Sequence, residues 1–125
     1  MADMKEKGLT LLSSTTVSLA ADADTTLYTV PTSKRCILHS AILVAGADAG
    51  TSVLSIGADG AETDFIPNQT LSGVNAQYDA AIMMPVPNTT PTLTKSYAAG
   101  TIIQAKVSNH AGGATNTLFL YGTLY

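Results

Sequence analysis

The sequence predicts an all-β protein with a single antiparallel β-sandwich, or jelly-roll-like, domain of about eight strands and an extended N-terminal arm. Three observations predict it. Thr, Val, Ile and Tyr recur in short runs that are typical of strands. Clusters of Gly, Pro, Asn and Asp separate these runs and supply turn conformations. No segment shows a sustained 3.6-residue periodicity with capping residues, and the 125 residues contain no linker. We therefore expect one domain, with residues 1–24 as the arm and first strand and 25–125 as the sandwich.

The expected strands follow one another at short intervals along the whole chain. They cover residues 9–12 with 15–20, then 25–30, 35–45, 52–56, 63–66, 78–84, 92–96, 101–108 and 117–125. The expected turns cover 31–33, 46–50, 57–60, 85–91, 98–100 and 109–116. Short strands at this spacing are typical of a sandwich or jelly roll.

The first strand follows Lys5 and Lys7, so we also considered an export signal. Asp3 and Glu6 dilute the basic region, and serines and threonines interrupt the segment 9–20. An export signal needs an apolar run of about 7–15 residues. We therefore expect β structure here, in a protein that is not exported by this route.

The last expected strand has two faces that are both apolar. One face carries Leu118, Leu120 and Leu124, and the other carries Phe119, Tyr121 and Tyr125. A strand at the surface of a sandwich needs only one apolar face, because its other face meets water. The second face of this strand therefore calls for a cover, either an N-terminal arm or loop of the same chain or another subunit.

The segment 35–45 shows the same pattern. Simple alternation places Cys36, Leu38, Ile42 and Val44 on one face and Ile37, His39, Ala41 and Leu43 on the other. Both faces are again mostly apolar, which repeats the need for a cover.

The chain is poor in charge. Charged residues make up 12% of it, against roughly 25% in an average soluble domain. From Phe65 onward the only charged side chains are Asp79, Lys95 and Lys106. The net charge of -3 argues against nucleic-acid binding, and no apolar run is long enough to span a membrane. The neutral exterior is either a Thr-rich β surface in water or a surface covered by partner chains.

No set of residues for catalysis or cofactor binding is visible. Cys36 and His39 are three residues apart on an expected strand, so their side chains should leave opposite faces. His110 lies in an expected loop, and no nucleophile, base and orienting group are brought together by sequence. We therefore expect no enzyme, no cofactor and no metal. An enzyme whose site involves His39, His110 or Asp64 is the third and weakest possibility.

The acidic residues of the middle segment are the one candidate for a cation site. They are Asp48, Asp59, Glu62 and Asp64. Calcium needs several oxygen ligands that converge, but the spacing of these acids does not match an EF-hand loop. Solvated turn acids are the favoured interpretation, and a cation at this region stays the alternative.

Several segments resemble small β-sandwich structural proteins of tailed-bacteriophage virions. The run Thr26-Leu27-Tyr28-Thr29-Val30-Pro31 is followed by a short polar turn and a long apolar strand from Arg35. The closing segments 99–105 and 118–125 are similar to the C-terminal strand pairs of those proteins. The resemblance covers most of 25–125 and implies a non-enzymatic structural protein of the virion.

The resemblance and the surface together predict a capsid decoration, or cement, protein that bridges capsid subunits. We expect a homo-oligomer, with a trimer favoured, that also binds the major capsid protein, on the capsid surface after synthesis in the bacterial cytoplasm. The alternative is a tail, neck or fibre component, including a carbohydrate receptor-binding module. The expected interface residues are apolar or aromatic side chains near the two ends of the chain: Leu9, Leu11, Leu12, Phe119, Tyr121 and Tyr125.

Overall fold

A computed structural model describes residues 9–85, 90, 91, 93–110 and 115–125. These residues form nine strands. They are β1 (Thr10–Ser18), β2 (Ala23–Thr29), β3 (Cys36–Val44), β4 (Val53–Ala58), β5 (Ala61–Thr70), β6 (Ala80–Met83), β7 (Ser96–Tyr97), β8 (Ile102–Asn109) and β9 (Thr115–Leu124). The described residues contain no helix of the length and apolarity that crossing a membrane requires.

The strands build two antiparallel sheets, which confirms the predicted β-sandwich. Sheet A has the order β1-β9-β3-β6, and the short β7 pairs with β3 beside β6. Sheet B has the order β2-β8-β4-β5. Successive strands mostly alternate between the sheets, and β4–β5 is a hairpin within sheet B. The nine strands of the described residues correspond in order to the nine expected segments.

Most expected strands differ from the observed ones by one or two residues at each end, and two differ by more. The segment 63–66 is part of the ten-residue β5, because β4 and β5 continue to a two-residue turn at Asp59 and Gly60. Pro67 is tolerated within β5 because this strand lies at the edge of sheet B. Residue 92 of the expected strand 92–96 lies outside the described residues; of 93–96 only Ser96 is in a strand, and Tyr97 completes β7.

The segment 1–24 contributes directly to the sandwich. β1 pairs with β9 along its length, and Ala23 and Asp24 begin β2. Residues 1–8, where the expected arm begins, lie outside the described residues.

The core lies between the sheets and is built from the inward side chains of both. Its largest fully buried members are aliphatic: Leu19, Leu38, Leu43, Leu54, Ile56, Ile66, Ile103, Leu118, Leu120, Val17, Val30 and Val107. Leu118 and Leu120 of β9 point inward, as predicted, and Phe119 and Tyr121 between them are only half-buried.

The predicted faces of β3 are wrong beyond Leu38. A β-bulge interrupts the pairing with β9, so that Leu38 lies opposite Gly122 and Ser40 lies opposite Tyr121. The extra residue reverses the alternation. Leu38, Ala41 and Leu43 are therefore buried together, and Ile42 is half-buried on the outer side.

A second bulge lies in β1, where Leu12 is the extra residue between Leu11 and Ser13. The two bulges lie on opposite sides of β9 next to Tyr121, the β1 bulge between its pairs with Tyr121 and Leu120 and the β3 bulge between its pairs with Gly122 and Tyr121. A Cβ atom at Gly122 would stand 2.5 Å from the Ile37 carbonyl oxygen and 2.9 Å from Leu12 Cδ1. Glycine is required here because the neighbouring backbone approaches closely.

Candidate interface

The outer face of sheet A is apolar over its central strands and at its β6 edge. Cross-strand pairing places Ser14, Phe119, Ile42 and Ile82 in one row from β1 to β6. Phe119 and Ile42 are half-buried, whereas Ile82 at the edge is 71% exposed. The central strands β9 and β3 therefore present apolar side chains outward, where a solvated sheet would present polar ones.

A second row continues this surface. Leu11 lies opposite Tyr121. Tyr121 is two residues after Phe119 in β9, so its side chain is on the same side of the sheet. Leu11 is 48% exposed, and Tyr121 is half-buried. We call this surface the apolar face, and define it by Leu11, Ile42, Ile82, Phe119 and Tyr121.

A groove of about 330 Å³ lies at one end of the apolar face. Leu9, Ile37 and Met84 contribute its apolar walls, and His39 and Thr123 contribute polar groups. Leu9 and Met84 are both more than half exposed. The groove extends the exposed apolar surface beyond the two rows.

The expected interface residues lie in different parts of the structure. Leu11, Phe119 and Tyr121 belong to the apolar face, and Leu9 lines the adjacent groove. Tyr125 follows β9 and is 51% exposed, with its hydroxyl 3.2 Å from Ser96 Oγ. Leu12 differs, because the bulge directs it toward Gly122 and packs it against the core.

Charge is divided between the two sheets. The strands of sheet A contain no Asp, Glu, Lys or Arg. The charged residues within strands are all in sheet B, and they are Asp24, Glu62, Asp64 and Lys106. The strands of sheet A are therefore uncharged, and all four charged strand residues belong to sheet B.

Sheet B carries a small group of charged residues on three of its strands, β2, β8 and β5. Asp24 of β2 lies directly opposite Lys106 of β8. The pKa of the Glu62 carboxyl lies below its ordinary value, chiefly because backbone hydrogen bonds, and then the positive charge of Lys106, favour the ionised form. Opposite charges in such positions suit a surface that stays in contact with water.

A polar contact ties the two sheets together at the edge formed by β5 and β7. The Tyr97 hydroxyl donates to Asp64 Oδ1 over 2.7 Å, and the Ala58 backbone N–H donates to the same oxygen over 3.2 Å. Lys95 Nζ lies 3.7 Å from Asp64 Oδ2. Burial raises the pKa of the Tyr97 hydroxyl above its ordinary value, and the bond to Asp64 raises it further.

Sequence reasoning missed this contact. Asp64 was interpreted as a solvated acid, and Tyr97 fell outside the expected strands. The one available signal was an acid directly before the apolar pair Phe65 and Ile66 in a strand, since a carboxylate beside core residues needs a partner.

The cysteine and the histidines lie apart. Cys36 is fully buried, and burial raises its pKa to about 11. His39 is exposed, and its Nδ1 lies 2.9 Å from Ser40 Oγ. His110 contacts Asp22 Oδ1 through both its backbone N–H, at 2.9 Å, and its Nδ1, at 2.8 Å. These hydrogen bonds lower the pKa of the Asp22 carboxyl.

Three of the four acids of the middle segment accept hydrogen bonds from different groups, and the fourth lies in an exposed turn. Asp48 accepts a hydrogen bond from the Gly50 N–H, Glu62 accepts one from the Gly60 N–H, and Asp64 joins Tyr97. Asp59 lies in the exposed β4–β5 turn. Within the described residues, no three His, Cys, Asp or Glu side chains are grouped closely enough to hold a metal ion.

Comparison with known proteins gives a likeness at the level of the fold. No protein-family model matches the sequence, and no curated protein matches it. Among solved structures, the chain is similar to a chain of the cyanophage Pam1 capsid asymmetric unit, with a TM-score of 0.59 and 17% sequence identity. The match covers 92% of this chain and 84% of that chain. At this identity the likeness shows a shared β-sandwich fold.

Proposed function

We propose that this chain is a structural protein of a tailed-bacteriophage virion, and specifically a capsid decoration (cement) protein. It stabilises the shell by bridging major-capsid subunits, and it does so without catalysis. We further propose a homo-oligomer on the outside of the capsid, made in the cytoplasm of the bacterial host.

The apolar face is the observation that carries this proposal. Large exposed apolar surfaces on soluble proteins mark interaction sites. Leu11 and Ile82 are exposed, and the strands that bear the face contain no charged residue. Burial of such a surface against another protein contributes roughly 25 cal/mol for each Å² of apolar area removed from water. A protein with this surface is suited to permanent assembly.

Two further features support the proposal. The fold is similar to that of a chain in a phage capsid asymmetric unit. The strand orders β1-β9-β3-β6 and β2-β8-β4-β5, with successive strands alternating between the sheets, are those expected when a β-ribbon is wrapped as a jelly roll. Jelly rolls recur in viral capsid proteins.

The test compares particles that carry the protein with particles that lack it. We expect the purified chain to bind the deficient particles and to raise the temperature at which they release DNA. Imaging of the decorated particles should place its density over junctions between capsid subunits. Purified protein that neither binds nor stabilises particles would contradict the cement role.

The alternative is a tail, neck or fibre component that recognises a carbohydrate. It is favoured by a cavity of about 380 Å³ beside the sandwich edge, where Thr63, Asp64, Thr94 and Lys95 offer polar groups. Density on the tail in the same images, together with glycan binding that Lys95→Ala removes, would favour this function over the capsid role.

A further inference from the structure

We propose that the apolar face is the surface through which copies of this chain associate in pairs, each copy burying the face against the same face of one partner, so that the contact closes a dimer. The inference rests on the proposed structural role and names the partner of that surface: a second copy of this chain. Contacts with the capsid are then made by other parts of the molecule.

The chemistry of the face limits what can cover it. A charged side chain that is buried without a partner is strongly unfavourable. The strands of sheet A carry no charge that could pair with a charged group on a partner. The covering surface must therefore be apolar and uncharged. A second copy of the apolar face meets both requirements, whereas sheet B, with Asp24, Glu62 and Lys106, does not.

The shape of the face also suits a sheet-to-sheet contact. Its side chains lie in regular cross-strand rows, with Phe119 and Ile42 at the centre and Leu11 and Ile82 toward opposite edges. Two such sheets pack about 10 Å apart with their side chains interdigitated, as the two inner faces of a sandwich do. The half-buried central residues would become buried, and the exposed edge residues would close the rim.

The area of the face is comparable to that of a small standard interface. Strands β1, β3 and β9 have nine or ten residues, which corresponds to a length of about 30 Å. With β6 added, the sheet is about 15–20 Å wide. The flat outline is therefore roughly 500 Å², and the accessible surface of its side chains is larger, so that it approaches the ~800 Å² per partner of a standard interface.

The experiment introduces one charge on the apolar face and the same charge on the opposite sheet. Thr16 of β1 and Thr26 of β2 are both exposed threonines on outer strands, one in sheet A and one in sheet B. Thr16→Lys and Ile82→Lys place a cation at the two edges of the apolar face, and Thr26→Lys is the matched control. These side chains are exposed. Each variant should therefore keep the circular dichroism spectrum of the wild type and unfold on heating in an equally cooperative transition.

Sedimentation velocity over a concentration series measures the association. We expect the wild type and Thr26→Lys to be oligomeric, and Ile82→Lys and Thr16→Lys to raise the dissociation constant by at least about 100-fold. A monomeric wild type at hundreds of micromolar would overturn the proposal. So would folded Ile82→Lys and Thr16→Lys variants that remain oligomeric, or a Thr26→Lys variant that dissociates equally.

Binding of the same variants to deficient particles separates this inference from the proposed function. If the wild type associates as expected but does not bind particles, the self-association stands and the cement role fails. If Ile82→Lys stays oligomeric but no longer binds particles, the capsid covers the apolar face, so that the inference fails and the cement role stands.

Discussion

The hydrogen bond between Tyr97 and Asp64 joins the two sheets, so its removal should measurably lower the free energy of unfolding. Tyr97→Phe deletes only the hydroxyl. Tyr97 is 6% exposed, and its hydroxyl donates over 2.7 Å to a carboxylate. Hydrogen bonds to charged groups contribute about 1.5–3 kcal/mol. The Asp64 side chain is 22% exposed, so water partly replaces the lost donor, and we expect a loss of about 1–2 kcal/mol.

Asp64→Ala should cost more, about 2–4 kcal/mol, because it leaves the buried Tyr97 hydroxyl and the Ala58 N–H without their acceptor. The double variant should cost less than the sum of the two single changes, with a coupling of about 1–2 kcal/mol. Urea unfolding followed by circular dichroism, at one fixed protein concentration, measures all four proteins.

Tyr78→Phe is the control, because Tyr78 is 78% exposed; its stability should stay within about 0.5 kcal/mol of the wild type. Burial raises the pKa of Tyr97 in the folded state. The Tyr97 hydroxyl therefore ionises at a lower pH in the unfolded chain than in the folded one. Its contribution to stability is complete below about pH 10 and is lost as the pH rises above that value. A Tyr97→Phe variant as stable as the wild type, or single changes that simply add, would refute the assigned role of this contact.

Four other measurements test particular contacts. Gly122→Ala should lower the free energy of unfolding by about 1–3 kcal/mol, because the new Cβ would stand 2.5 Å from the Ile37 carbonyl oxygen; an unchanged urea midpoint would mean that the backbone yields. The Cys36 thiol, with its pKa raised to about 11, should not react with a thiol reagent until the protein unfolds. Because the thiol of the unfolded chain ionises first, stability should also fall between about pH 9 and 11 in the wild type, and Cys36→Ala should show a smaller fall. The buried Ser55 hydroxyl has no hydrogen-bond partner among the described residues, so Ser55→Ala should be neutral or stabilising by up to about 1 kcal/mol, and a clear loss would contradict this. The Asp22 pKa, lowered by its hydrogen bonds to His110, should rise toward its ordinary value in His110→Ala when followed by NMR, and this contribution to stability should disappear from the wild type as the pH falls through the Asp22 pKa.

The sandwich and its strands could be predicted because the responsible signals are local. Alternation and turn residues act within a few positions, so β8 and β9 were expected almost where they lie. The inward Leu118 and Leu120, and the outward Phe119 and Tyr121, follow from the same alternation. Leu11, Phe119 and Tyr121 were thereby placed together on a candidate interface, whose role stays a prediction.

The rest depended on which strands pair. The sequence contains no sign that β3 bulges between Leu38 and Ser40, because a bulge is a property of the register with β9 and only then reverses the faces of Ala41 and Ile42. The sequence likewise contains no sign of the bulge in β1. Leu12 is therefore expected at the interface, whereas the bulge turns it toward the core.

The sequence by itself determined the fold class, the scarcity of charge and the apolar character of both faces of β9. Only the tertiary structure decided that all the charged residues within strands lie in one sheet, and that Tyr97 reaches Asp64 across the sandwich. The physical reason is distance along the chain. Sheet membership and inter-sheet contacts join residues tens of positions apart, and their partners are selected by packing of the whole core, which no local pattern records.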